Sequence, residues 1–325
     1  MTTECFIPKS FYASSRLVIR RALEIIHDPE NAGYKLTLRQ IYYQFVSRNW
    51  LKNEQNAYKR LGEILNDARL AGVVPWDAIE DRTRTLRETP MWGDPGDPVS
   101  PAEFIADWGR HFKNNPWNNQ PKYVLGMIEK DSLVGILERP CQKWRVPFFS
   151  CRGYVSASEM YDMAQMLEAV VENGQEVLVL HLGDHDPSGV QMSENIAERL
   201  DLLSHHCRGI TVRRIALNMD QIKAYNPPAN PAKETDSRYK AYCRRYNTKS
   251  SWELDSMPPS VMAQLVEDHI VPQIDMEQWD QDIEKEKEPR RQLMRLGEIW
   301  DERGSNFYDD MIEAFEDLDF KREED

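Results

Sequence analysis

At 325 residues, with 41% apolar and 10% aromatic side chains, the chain is long enough for two domains with real cores, and general disorder is excluded. No stretch approaches the ~18 apolar residues of a membrane span, and the first residues lack the apolar run of a signal peptide, so a cytoplasmic protein with no membrane partner is expected. The net charge of −13 argues against nucleic acid as a partner, but it is unevenly spread: residues 1–90 hold 14 Lys and Arg against 11 Asp and Glu, and residues 273–325 hold 8 against 19.

The five cysteines, Cys5, Cys141, Cys151, Cys207 and Cys243, contain no C-x-x-C pair. Neither a disulfide framework nor a zinc ribbon is suggested. His205, His206 and Cys207 lie together but lack a second ligand pair.

Residues 11–27 place Leu17, Val18, Ala22, Leu23, Ile25 and Ile26 near helical spacing. Thr37 is a candidate N-cap for a second helix over 38–46, and a third is predicted over 57–71. In that third helix Lys59, Arg60 and Arg69 lie off the apolar face, and Gly72 ends it. Residues 73, 74 and 76–82 read as an extended arm. Three helices and an arm suggest a winged-helix, CAP-like domain over residues 1–90, with a plain helical bundle as the alternative. Lys59, Arg60, Arg69, Arg82 and Arg84 are its candidate DNA-phosphate contacts; a solvated surface accounts for them equally well.

Residues 91–121 are a Pro- and Gly-rich linker with a short helix over 102–112. Strands are predicted over 123–128, 146–149, 177–182 and 210–216, with helices between them. Ser156 and Glu159 form a capping-box pattern before one of these helices. Alternating strands and helices imply an α/β domain with a parallel sheet over 122–222. The remainder, 223–325, reads as a mainly helical extension with an acidic tail, with helices over 260–271 and 276–300. No G-x-x-x-x-G-K-[ST] phosphate loop is present.

Two of these strands end in acid. Glu129 follows the first, and Gly183-Asp184-His185-Asp186-Pro187 follows the third. In an open parallel sheet the carboxyl ends of strands are where ligands bind. Glu129, Asp184 and Asp186 could together hold one or two Mg²⁺ ions, which favour oxygen donors. Asp186 before Pro187 is also how a helix starts. Lys130 and Asp131 would tune the local charge.

On the second helix Leu38, Ile41, Tyr42 and Phe45 make the core face. Arg39 and Tyr43, at i and i+4, project together to one side of it. Tyr42 is therefore expected in the core, and Tyr43 exposed beside a cation. A guanidinium beside a phenol can hold a phosphate, which makes Tyr43 a candidate nucleophile; an ordinary amphipathic surface is the alternative.

The order R-x-x-Y-Y, then E-K, then G-D-x-D-P-x-G resembles the A subunit of topoisomerase VI and its relative, the meiotic double-strand-break transesterase. The resemblance runs over about residues 15–220. In length the chain is most like the minimal A-subunit-like proteins of phages and mobile elements. The second domain then looks like a Toprim domain. The resemblance implies that Tyr43 attacks double-stranded DNA, that Arg39 contacts the phosphate, and that Glu129, Asp184 and Asp186 hold Mg²⁺. It implies a homodimer, in which the tyrosine of one subunit meets the metal site of the other, and a 5′-phosphotyrosyl link. A GHKL ATPase partner of the B type would have to come from another chain. A hydrolytic Toprim nuclease and a non-catalytic DNA-binding regulator are the competing expectations.

Overall fold

The computed structural model describes residues 3–80, 100–303 and 306. The described residues within Met1–Thr85 and Pro121–Ile274 form one compact unit, and those within Leu86–Gln120 and Asp275–Asp325 form another. No helix among them is long and apolar enough to cross a membrane.

The first unit opens with helices α1 (Ala13–Ile26), α2 (Leu38–Ser47) and α3 (Gln55–Leu70). Their apolar faces meet in a core of Ile19, Ile25, Ile41, Tyr42, Phe45, Leu61 and Leu65. Each fully buried aliphatic or aromatic side chain there is worth about 1.5–3 kcal/mol. The start of α2 is fixed by a reciprocal cap. Gln40 N donates to Thr37 Oγ1 at 3.2 Å, and Thr37 N donates to Gln40 Oε1 at 2.8 Å. Among the described residues of the expected extended arm, Trp76–Ala78 make a 3₁₀ turn instead and Ile79 forms a parallel bridge to Leu36; residues 81 and 82 lie outside them. Pro75 at the turn's N-cap sets the extended entry from which the chain curls.

The same unit continues as an α/β layer: β1 (Lys122–Ile128), α5 (Val134–Lys143), β2 (Phe148–Ser150), α6 (Ala157–Glu172), β3 (Glu176–Leu182), α7 (Pro187–Leu203) and β4 (Ile210–Ala216). Here α4 is Pro101–His111, in the second unit. The four strands are parallel, in the order β2-β1-β3-β4. The buried runs in β1 and β3 explain why they are central, since a strand covered on both faces needs no alternation. The chain moves from β1 out to β2, then returns past β1 to β3 and β4. The order therefore reverses between β1 and β3, where such sheets open a crevice. Ile128 is level with Leu182, so the two strands end together.

After β4 come α8 (Met219–Tyr225), β5 (Asn230–Pro231), α9 (Tyr239–Tyr246), β6 (Ser250–Ser251), a 3₁₀ turn at Leu254–Ser256, and α10 (Pro259–Ile270), which packs on α5. Strands β5 and β6 form a short antiparallel ribbon.

In the second unit α4 lies along α12 (Lys287–Arg303). The residues between, α11 (Met276–Glu284), set Trp279 edge-on to Trp117, with ring centroids 5.7 Å apart. The helical stretch predicted over 276–300 is thus broken at 285–286.

Candidate functional site

Glu129 and the Gly183–Asp186 turn leave the sheet side by side. Glu129 N donates to Leu182 O at 2.8 Å, and Asp184 N donates to Glu129 Oε2 at 2.8 Å. This closeness requires the two glycines of the motif. A Cβ at Gly183 would stand 2.8 Å from Glu129 Oε2, and one at Gly189 would stand 2.3 Å from Asp184 O. Asp186 caps α7, accepting from Gly189 N at 2.6 Å with Pro187 in the first turn. Its helix-start role is therefore real, and it does not remove Asp186 from the acid edge. Burial first, and then the Asp184 charge, push the Glu129 carboxyl up to about 7; Asp186 adds to this, while the Asp184 N–H and Lys130 oppose it. Burial also raises Asp184, against the pull of Lys130.

Beneath the turn lies Arg214, from β4. Its guanidinium donates to the carbonyls of Gly183 (2.8 Å), Asp184 (2.6 Å) and Gly189 (2.9 Å). It is a part-buried cation that binds main chain and the Ser193 hydroxyl, 3.1 Å away, and no carboxylate among the described residues. Burial, partly offset by the nearby acids, lowers its pKa from the ordinary value.

Lys130 stands at the centre. Its Nζ lies 2.8 Å from Asp184 Oδ2, 2.7 Å from Asp255 Oδ2 and 3.1 Å from Glu253 Oε2. Burial works against the ammonium, but the three carboxylates outweigh it and the pKa is raised. Leu254 N donates to Asp184 Oδ1 at 2.8 Å, and His185 pairs with Trp252 through both main-chain groups. Glu253, Asp255 and Arg214 belong to this polar cluster and were not singled out in the sequence reading. The only available signal for the acids was their i, i+2 spacing in Trp252-Glu253-Leu254-Asp255, the same spacing as the first pair.

Tyr43 requires a correction. It is 4% exposed, not a surface residue. Helical periodicity reports the face turned to the local core, and here the other face is covered as well, by residues distant in sequence. Asn230 Nδ2 donates to the Tyr43 hydroxyl at 3.2 Å, and the Glu253 carboxylate lies near enough for its charge to act on the phenol. Burial and the Glu253 charge push the phenol well above its ordinary value, more than Arg39 lowers it. Arg39 remains half-exposed, with Nε 3.4 Å from Glu253 Oε2. Glu253 thus links Arg39 to Lys130 and Asp184 within one chain. Tyr42 is in the core, as expected from its position.

Of the candidate phosphate contacts, Lys59 and Arg60 are exposed. Arg69 is a second correction. It donates to Trp76 O at 2.9 Å and Ile79 O at 3.2 Å, and its guanidinium lies 4.4 Å from the Trp76 ring centroid. It staples the turn at 76–78 and is committed internally. Arg82 and Arg84 lie outside the described residues.

Among the described residues no three His, Cys, Asp or Glu side chains stand in a ready-made metal cluster. Glu129, Asp184 and Asp186 are oxygen donors of the kind a hard cation favours, with Asp184 here paired to Lys130 and Asp186 capping α7. No protein-family model, curated protein or solved structure matches this chain.

Proposed function

We propose that this chain is a Mg²⁺-dependent DNA transesterase resembling the A subunit of topoisomerase VI. In this reading α1–α3 act as the winged-helix part and the parallel sheet as the Toprim part. The observation that carries it is the polar path from Arg39, with Tyr43 four residues on along the same helix, through Glu253 to Lys130 and the acids at the ends of β1 and β3.

In the reaction proposed, the Tyr43 oxygen forms a bond to phosphorus and the bond to the 3′ oxygen breaks. The phenolic proton is lost to solvent and the departing 3′ oxygen gains one, so a 5′-phosphotyrosine and a 3′-hydroxyl result. Arg39 holds the phosphodiester, its planar fork suited to two phosphate oxygens. Lys130, kept charged by its acids, stabilises negative charge developing beside Asp184. Glu129, Asp184 and Asp186 would hold Mg²⁺, which when bound supplies positive charge to the DNA backbone. A homodimer and double-stranded DNA are part of the proposal. Strand passage would need an ATPase supplied by another chain.

The test is a plasmid reaction with Mg²⁺, stopped in detergent and run with and without protease. DNA that enters the gel only after proteolysis is expected, and Tyr43→Phe should abolish it. The raised Tyr43 phenol favours a second reading, in which water attacks and the tyrosine only orients DNA. That reading predicts free ends without protease and partial activity in Tyr43→Phe.

A further inference from the structure

Two cations converge on one carboxylate: Arg39 Nε lies 3.4 Å and Lys130 Nζ 3.1 Å from Glu253 Oε2, and the Tyr43 phenol is close enough to feel its charge. Two cations and a phenol around one anion are the equipment of a phosphodiester site, since phosphate oxygens accept the same bonds. Glu253 sits between β6 and the Leu254–Ser256 turn, on a stretch that also seals the site at other points. Asn230 bonds Tyr43, and Asn53 Nδ2 bonds Asn230 Oδ1 at 2.5 Å and Ala229 O at 3.2 Å. Trp252 pairs with His185, Leu254 N holds Asp184, and Asp255 holds Lys130. On its sheet side the segment is held by buried Ala232, Tyr242, Trp252 and Leu254, whereas Asn230 and Glu253 meet α2 and its neighbours through polar groups, which suits opening along that side alone.

We propose that Glu253 is an internal substitute for a DNA phosphate, carried on a cover, residues 230–256, which must lift from its α2 side before nucleic acid can reach Tyr43 and Lys130 and displace Glu253 from Arg39. The inference rests on the nucleic-acid reading of the site and names its regulation. While the cover is down, the two cations are neutralised and the phenol faces a carboxylate, the arrangement least suited to attack. When DNA displaces Glu253, a phosphodiester takes its bonds and Tyr43 is uncovered in the same step. The overall charge of −13 fits such a device, because weak basal affinity is set by masked cations as well as by few of them.

The experiment compares the full-length wild type with Glu253→Gln in binding a short DNA duplex across a salt series. Glu253→Gln should bind about tenfold or more tightly at ~0.1 M salt, with a log–log salt slope steeper by about one to two. Adding Arg39→Ala should cancel the gain. Asp280→Asn changes net charge equally at an exposed position in the second unit and should give no gain. Equal affinity of wild type and Glu253→Gln, the same gain from Asp280→Asn, or no duplex binding by any form overturns the proposal. A second route does not depend on how Glu253→Gln folds. In a Cys5→Ser background, Asn53→Cys and Asn230→Cys joined by a short bismaleimide should lose duplex binding that the unjoined protein keeps. Unchanged binding after joining also overturns the cover. Tighter binding by Glu253→Gln without protein-linked DNA from either form would sink the transesterase reading and leave the cover standing. Protein-linked DNA formed equally by both, at equal affinity, would do the reverse.

Discussion

The Arg214 guanidinium donates to the main-chain carbonyl of Asp184 at 2.6 Å and leaves that residue's carboxylate to Lys130, 2.8 Å away. One cation shapes the turn, and another balances its charge. The division matters because a carboxylate already paired to Arg214 could not turn toward the crevice.

Arg214→Lys should therefore be a poor replacement. An ammonium cannot span carbonyls on both sides of the turn, and at least two would lose a charged donor. A loss of about 3 kcal/mol is expected in urea unfolding. Cleavage should fall with it, at a temperature where the variant is still folded.

Lys130→Met removes the common partner of Asp184, Glu253 and Asp255 and leaves three carboxylates facing one another. The expected cost is about 3–5 kcal/mol. Adding Asp255→Asn should recover part of it, because the two changes share one network. A double-mutant cycle in denaturant measures the coupling. Strict additivity would show that Lys130 does not serve as their common counter-charge.

The adjacent tyrosines should separate stability from function. The Tyr42 hydroxyl accepts from Glu54 N at 2.8 Å, at the start of α3. Tyr42→Phe removes that acceptor, leaving the N–H with Lys52 O alone at 2.9 Å, and should cost about 1 kcal/mol. Tyr43→Phe gives up a bond to the Asn230 amide and should cost under about 1 kcal/mol while abolishing the DNA adduct. Thermal melts of the two variants, beside the detergent gel, check the contrast.

Acid stability follows from three buried groups. Burial, aided by the Arg214 charge, pushes His181 down to about 3 and His185 down to about 4. Below pH ~6.5 the unfolded chain takes up protons at both that the fold refuses, so their stabilisation is lost as pH falls. Glu129, raised from 4.5 to about 7, acts the other way between those values, because the folded state holds the extra proton. The net loss from pH 6 to 4.5 should be about 1.4 kcal/mol per pH unit from these groups. Glu129→Gln removes the opposing contribution, so its urea midpoint should fall more steeply over the same range.

Much of the sheet and its edge was legible in advance. Apolar runs mark β1 and β3, and each ends where an acid begins, so a shared edge for Glu129 and Asp184 was open to reading, while the neighbouring of β1 and β3 is set by the sheet order. Thr37 and Tyr42 were equally open to reading, because a cap and a core stripe are local properties. The surroundings of Tyr43 were not. Its cover comes from Asn230 and Glu253, and no local periodicity reports a partner so distant in sequence. Arg69 was misread for a related reason: its partner Trp76 lies past the end of its own helix. Arg214 left a fainter mark. Arg213 and Arg214 are neighbours on a strand, so one of the two had to face inward.

Thr37 and Gln40 have an influence that reaches beyond the helix end they satisfy. Successive side chains on α2 are rotated by about 100°, so tandem tyrosines are alike in chemistry and differ only in phase. The reciprocal cap acts as the timing mark. One alanine inserted between Gln40 and Ile41 would turn both rings by a residue's step, bringing the phenol now bonded at α3 toward the direction held by its neighbour. Which of two identical rings lies against Asn230 is thus decided at a threonine six positions upstream.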